Sequence, residues 1–241
     1  MALKPTISVV IPCYNEEKNI PSCLEAILNQ TEMPEEVIFV NNNSTDNSRA
    51  VAEGFTPRFQ QKSINFKIID VAEKGIVPAR KVGFKAVKSD LIGGIDADIV
   101  LNENWVRFAK CYFEKNQETA ALGGPIYYKN GSIRSKIHLF FLFWNYRLFP
   151  GFSLWGGNNV FWRKSFEEIG GFDGYGLFAQ KLNLIYPYED SYLSESFSKV
   201  GKVRFRFGLS ASALGVGVGM ARDFRQTIDY WRIKYYFWKN K

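Results

Sequence analysis

Four short apolar runs alternate with helical stretches over the first hundred residues, and few architectures accept that rhythm. Residues 7–11 and 37–40 read as buried strands, with 66–70 and 91–95 as a third and a fourth. Helices are expected between them, over about 20–29, 47–54 and 77–88. Pro21 and Pro78 fall in first turns, where a missing N–H costs nothing. This alternation predicts an α/β fold: a mostly parallel central sheet with helices on both faces, in a single Rossmann-like domain. Ligands of such sheets lie beyond the carboxyl ends of the strands. The polar clusters fall there: Tyr14-Asn15-Glu16 after the first strand, Asn41-Asn42-Asn43 after the second and Asp96-Ala97-Asp98 after the fourth.

The second half is less regular. Residues 108–115 read as a helix, 120–128 as strand, 133–149 as an aromatic helical segment and 159–162 as a short strand. A helix is expected over 191–200 with acidic residues just before it, and a basic aromatic helix over about 221–238. No repeat, low-complexity stretch or linker divides the 241 residues, so one continuous domain is expected. The longest aromatic-apolar stretch, 137–149, contains His138, Asn145 and Arg147 and falls short of the ~20 residues a spanning helix needs. The opening residues make too short an apolar run for a signal peptide. Three cysteines without a C-x-x-C pair point to a reducing, cytoplasmic compartment.

The net charge of +7 is unevenly placed. From residue 199 onward there are ten Lys or Arg against two Asp, while the preceding residues carry 21 basic and 22 acidic groups. The whole excess therefore lies in the last 43 residues, interleaved with aromatic rings, and implies a face that meets an anionic partner. Rings at 137–149 and 230–239 suit a membrane interface, with the cations on anionic headgroups. Packing of these rings on one another, as core or dimer face, explains them equally well.

Three small motifs carry chemistry. Asp96-Ala97-Asp98 places two carboxylates one residue apart at a strand end, where they can share a hard divalent cation with phosphate oxygens. The plain alternative is a strand ending in a polar turn. Glu189-Asp190 stands 92 residues after Asp98, where a carboxylate either complements a helix N-terminus or deprotonates an acceptor hydroxyl. Gly156-Gly157-Asn158-Asn159 and Gly170-Gly171-Phe172-Asp173 allow close backbone approach or tight turns. Gly215, Gly217 and Gly219 fail the dinucleotide-binding spacing.

Taken in order, Ser8-Val9-Val10-Ile11-Pro12-Cys13-Tyr14-Asn15-Glu16-Glu17, Asn43-Ser44-Thr45-Asp46, Ala79-Arg80-Lys81-Val82-Gly83, Asp96-Ala97-Asp98, Gly156-Gly157-Asn158 and Glu189-Asp190 form a set. The set resembles the family 2 glycosyltransferases of the GT-A (nucleotide-diphospho-sugar transferase) fold, over about residues 6–201. The resemblance implies an inverting, metal-dependent transfer from a nucleotide-diphosphate sugar, UDP-linked in the preferred reading, to a hydroxyl acceptor. That acceptor would be a glycan or lipid-linked molecule in surface glycan or glycolipid synthesis, used at the inner face of the membrane. It also implies a GT-A domain over 1–207, with a nucleotide-sugar-binding half (1–100) and an acceptor-side half (101–207). A basic aromatic tail would follow over 208–241.

By that resemblance Pro12, Tyr14 and Glu16 flank the nucleoside, with Asn41 near the base. Lys74 and Arg80 lie near base or phosphates, and Ala97 borders the donor. Asp96 touches ribose or metal, and Asp98 is the main ligand of Mn²⁺ or Mg²⁺. Asp190 is the catalytic base, while Trp155, Gly156, Gly157, Asn158 and Glu189 border the acceptor. Two positions depart from the family pattern. Asn41 stands where relatives commonly carry Asp; it is neutral and donates as well as accepts. His138, the only histidine, lies in the aromatic segment, so metal coordination is expected to rest on Asp98, diphosphate oxygens and water.

Two rival readings need features the chain lacks or leaves unexplained. A sugar nucleotidylyltransferase needs a Gly-rich phosphate loop after the first strand, and Pro12-Cys13-Tyr14-Asn15-Glu16 offers none. A non-catalytic module binding lipid or nucleic acid through the tail leaves the retained carboxylates without a purpose, and no nucleic-acid partner is expected.

Overall fold

The computed structural model describes residues 4–128, 154, 156–184 and 188–214, and, near the C-terminus, 232, 233, 235 and 239. The expected alternation is present as β1 (Ile7–Cys13), α1 (Ile20–Leu28), β2 (Glu36–Asn41), α2 (Ser48–Glu53), α3 (Thr56–Gln61), β3 (Asn65–Asp70), α4 (Ile76–Lys85) and β4 (Leu91–Ile95). The short helix α3 is additional to the expected set. Pro57 opens its first turn, and Phe59 stacks on Phe66 of β3 with ring centroids 4.4 Å apart.

Side chains of β1, β2 and β4 alternate between two cores, which is why these strands are continuously apolar. Ile7, Val9, Ile11, Val37, Phe39 and Leu91 pack on one face with residues of α1, α2 and α3 and with Trp105, Val106 and Phe113. Val10, Ile38, Val40 and Ile92 pack on the other with Ala79 and Phe84 of α4 and with Phe166, Phe178, Leu193 and Phe197. The edge strand β3 is only half-buried.

The second half supplies β5 (Ile99–Leu101), α5 (Trp105–Lys115), β6 (Thr119–Gly123), β7 (Ile126–Tyr128), β8 (Asn158–Trp162), α6 (Arg163–Glu168), α7 (Tyr175–Leu182), α8 (Glu189–Ser198), β9 (Lys202–Phe205) and β10 (Ala211–Ala213). The strand expected over 120–128 is two strands, parted at Gly124-Pro125 and belonging to different sheets. Helix α8 starts at Glu189, so the acidic pair occupies its first turn rather than preceding it. The paired glycines at 170–171 form a tight turn with φ of 72° and 57°. Phe172 behind them is buried against Phe84, Phe166 and Tyr192.

The main sheet has strand order β3-β2-β1-β4-β8-β6-β9, and a three-stranded sheet runs β5-β10-β7. In the main sheet β8 alone is reversed, antiparallel to β4 and to β6. The chain winds outward from β1 to β3 and then returns to the other side of β1 as β4. The strand order therefore reverses between β1 and β4, which opens a crevice at their carboxyl ends. Pairing of Ile95 with Asn158 brings the start of β8 to the end of β4, so Gly156-Gly157 arrives beside Asp96.

The aromatic segment at 133–149 with His138, and Trp155, lie outside the described residues, as does most of 221–238. Of that last stretch Ile233 is fully buried, and the Arg232 guanidinium donates to the Asn183 carbonyl at 3.4 Å. Among the described residues no helix is long and apolar enough to cross a membrane.

Candidate active site

Two loops at the crevice are bonded to each other before any ligand is considered. After β1, Asn15 takes a positive φ of 55° and its side-chain oxygen accepts from the Thr45 N–H at 2.8 Å. In return its own N–H donates to Ser44 Oγ at 3.1 Å. The Glu16 N–H donates to Ser48 Oγ at 2.8 Å, and the Glu17 N–H donates to Asp46 Oδ2 at 3.1 Å. Each short polar side chain satisfies a backbone donor of the opposite loop, which makes one rim of the crevice rigid.

Beneath that rim is a cavity of about 420 Å³, lined among others by Pro12, Cys13, Tyr14, Asn42, Lys74 and Ala79. Its size lies within the ~300–1,000 Å³ usual for small-molecule sites. Tyr14 and Lys74 are exposed at its mouth. Asn42, which sequence reasoning did not single out, organises the far wall. Its amide donates to the Val71 and Glu73 carbonyls at 3.2 and 2.6 Å and accepts from the Gly75 N–H at 2.8 Å. The clamp holds the loop that presents Lys74, and Gly75 at φ 127° lets that loop turn into α4. Asn41 faces elsewhere: its amide donates to Asp70 Oδ1 at 2.8 Å. Asp70 is held below the usual carboxylate range by that bond and by Arg49. The pleat explains the division of labour, since neighbours at a strand end point to opposite sides.

At the end of β4 the carboxylates have different partners. Asp96 Oδ1 accepts from Arg80 Nη2 at 2.6 Å, while Ala97 is buried in the core. Burial, then the charges of Asp96 and Glu16, push the Asp98 carboxyl up to about 6. An acid destabilised by two neighbouring negative charges lacks a compensating cation, and that fits a divalent metal. Among the described residues no three His, Cys, Asp or Glu side chains are grouped to hold a metal. Such an ion would therefore be held by Asp98, with Asp96 adjacent, and by oxygens of the bound donor.

The remaining expected residues separate into surface and interior. Arg80 is 3% exposed; besides Asp96 it donates from Nη1 to the Glu189 carboxylate. Glu189 is buried, and burial pushes its carboxyl up to about 7 against the pull of Arg80. Asp190, next in the first turn of α8, is half-buried, and its Oδ1 accepts from the Ser191 N–H at 2.6 Å. Asn158 is fully buried: it accepts from Trp105 Nε1 at 2.8 Å and donates to the Pro125 and Leu209 carbonyls. It is a core knot rather than a wall of the crevice. Gly156 and Gly157 lie against Arg80, Glu189 and Asp96.

A mostly parallel sheet with a cavity at its switch point, a carboxylate pair following β4 and a second opening α8 belongs to the GT-A class of folds. The solved mannosyltransferase PcManGT from Pyrobaculum calidifontis, in complex with GDP-Man and Mn²⁺, superposes with a TM-score of 0.75 at 16% identity. That match covers 100% of this chain and 66% of that one. S. aureus TarS 1-349 in complex with UDP-GlcNAc gives a TM-score of 0.64 at 16% identity, over 91% and 61% of the two chains. The family model described as Glycosyl transferase family 2 matches residues 8–170, and the chain belongs to that family. The uncharacterized glycosyltransferase EpsJ of Bacillus subtilis is 31% identical over 54% of this chain and 36% of its own length. The poly-beta-1,6-N-acetyl-D-glucosamine synthase of Staphylococcus epidermidis is 28% identical over 54% and 31%. The chain thus spans about a third of the length of these curated relatives.

Proposed function

We propose that the chain transfers a glycosyl group from a nucleoside-diphosphate sugar, UDP-linked, to a hydroxyl of a glycan or lipid-linked acceptor, with inversion. The observation carrying this reading is the occurrence together of the crevice cavity, the Asp96–Asp98 pair following β4 and the Glu189–Asp190 pair opening α8, the two pairs joined through Arg80. Pro12, Tyr14 and Lys74 receive the nucleotide, and Asn42 keeps the Lys74 loop in place. Asp98, with Asp96 beside it, would hold a divalent ion, which when bound would supply positive charge against the diphosphate leaving group. Asp190 takes the proton of the acceptor hydroxyl as its oxygen attacks the anomeric carbon opposite the leaving group. GDP-Man and Mn²⁺ in the solved mannosyltransferase, and UDP-GlcNAc in TarS, support the donor class. The basic surplus of the C-terminal stretch supports an acceptor held at an anionic membrane surface.

The test is a panel of UDP- and GDP-sugars with Mn²⁺ or Mg²⁺, read by thermal shift and by slow donor hydrolysis. Metal-dependent stabilisation and hydrolysis, strongest with a UDP-sugar and abolished by chelator, are expected. Binding without any hydrolysis or transfer would instead favour a non-catalytic module.

A further inference from the structure

Among the described residues, Arg80 joins the two carboxylate pairs through a single side chain. It stands on α4, in the donor half, and its two terminal nitrogens go to different elements: Nη2 to Asp96 at the end of β4, and Nη1 to Glu189 at the start of α8. The partners of the second bond are 109 residues apart in the chain. Arg80 Nε is buried with no hydrogen-bond partner, so Asp96 and Glu189 take the guanidinium's hydrogen bonds, and the charge of Asp190 adds to the attraction. A buried ion pair is a poor source of net stability, because desolvation of both ions offsets their attraction. A buried cation that fixes two anions in one geometry supplies position instead.

Resting on the reading above, we propose that Arg80 is a positioning residue for the transfer. It locks the carboxylate beside the donor to the helix that carries Asp190, and so sets the distance between the anomeric carbon and the base. The flanking glycines fit this role. A Cβ at Gly156 would stand 2.8 and 3.1 Å from the two Arg80 nitrogens and 3.1 Å from the Glu189 carboxylate. A Cβ at Gly157 would stand 2.6 Å from Asp96 Oδ2. Both contacts are too close to accept without displacing a side chain that is already held. The Gly-Gly pair is thus shaped around the Arg80 joint, and any side chain there would push the joint apart.

The experiment separates position from donor contact. Arg80→Lys keeps the charge but offers one ammonium where two separate nitrogens are used. Glu189→Gln removes the charge at the α8 end of the joint, leaving only a neutral amide oxygen to accept from Arg80, and Gly156→Ala crowds the joint without removing a charge. Each variant is measured for UDP affinity in Mn²⁺ and for the kcat of hydrolysis of the best UDP-sugar. Expected are dissociation constants within about threefold of wild type, kcat lowered tenfold or more, and an Arg80→Lys/Glu189→Gln double variant no slower than the worse single. Three results would overturn the inference. They are a tenfold loss of UDP affinity in Arg80→Lys with Glu189→Gln normal, independent additive effects on kcat, or a lowered melting temperature with kcat unchanged in folded variants. A wild-type protein showing no Mn²⁺-dependent nucleotide binding would instead overturn the functional reading on which this rests.

Discussion

Replacing Asp98 by Asn should stabilise the metal-free protein while removing its response to metal and nucleotide. The Asp98 carboxyl is raised from 3.8 to about 6, by burial first and then by Asp96 and Glu16. At ~1.4 kcal/mol per unit this amounts to about 3 kcal/mol. Partial exposure of the side chain screens it, so ~1–2 kcal/mol is the better expectation. The direction with pH follows from which state holds the proton. Below about pH 4 folded and unfolded chains are both protonated at this position, and the penalty is absent. Between about 4 and about 6 the folded chain binds more protons, so this group's contribution falls as pH rises; above about 6 the full penalty applies. Asp98→Asn should therefore melt roughly 3–5 °C above wild type at pH 8 in chelator, and level with it near pH 4. With UDP and Mn²⁺ the order should reverse, because wild type gains ligand stabilisation and the variant does not. A variant less stable than wild type at pH 8 in chelator, or one that keeps the Mn²⁺-dependent shift, would refute the argument.

Three further outcomes are expected. Asp190→Asn should leave donor affinity near normal and lower kcat by ~10²–10⁴-fold in steady-state transfer assays, with wild-type product inverted at the anomeric centre when read by NMR. Asn42→Ala strands the Gly75 N–H and the Val71 and Glu73 carbonyls. It should cost ~2–3 kcal/mol in urea unfolding and raise donor KM through the freed Lys74 loop. The full chain should sediment with anionic vesicles at low salt and be released at high salt, and equal binding to neutral vesicles would count against a charge-driven contact.

The parts of the fold written locally in the chain were the legible ones. β1, β2 and β4 are runs of apolar residues because both faces are covered, and periodicity finds such runs. β5 and β10 have three residues each, too few for any period, and exist because they pair with each other. Helices α6 and α7 are short, and their buried residues become apparent only against α8 and the sheet. At the site, the polar clusters at strand ends were visible, since topology alone brings them together. The choice of Asn42 over Asn41 was not: it depends on which neighbour the pleat turns toward the cavity. Nor was the Arg80 joint, because no local pattern connects residues 80 and 189.

The reversal of β8 has a consequence for how such a protein can diversify. β7 ends at Tyr128 and β8 begins at Asn158, so the two ends of the connection between them are fixed by strands of different sheets. Its described end is held by packing: Leu154 is buried in the core with its N–H on Ser194 Oγ at 3.2 Å, and Gly156-Gly157 lies against Arg80 and Asp96. Loop closure costs only about 0.6 kcal/mol for each doubling of length. A change of length ahead of Leu154 should therefore cost the seven-stranded sheet little. Grafting that stretch between homologues, with Leu154 and Gly156-Gly157 kept, would test whether it selects the acceptor in the transfer proposed above.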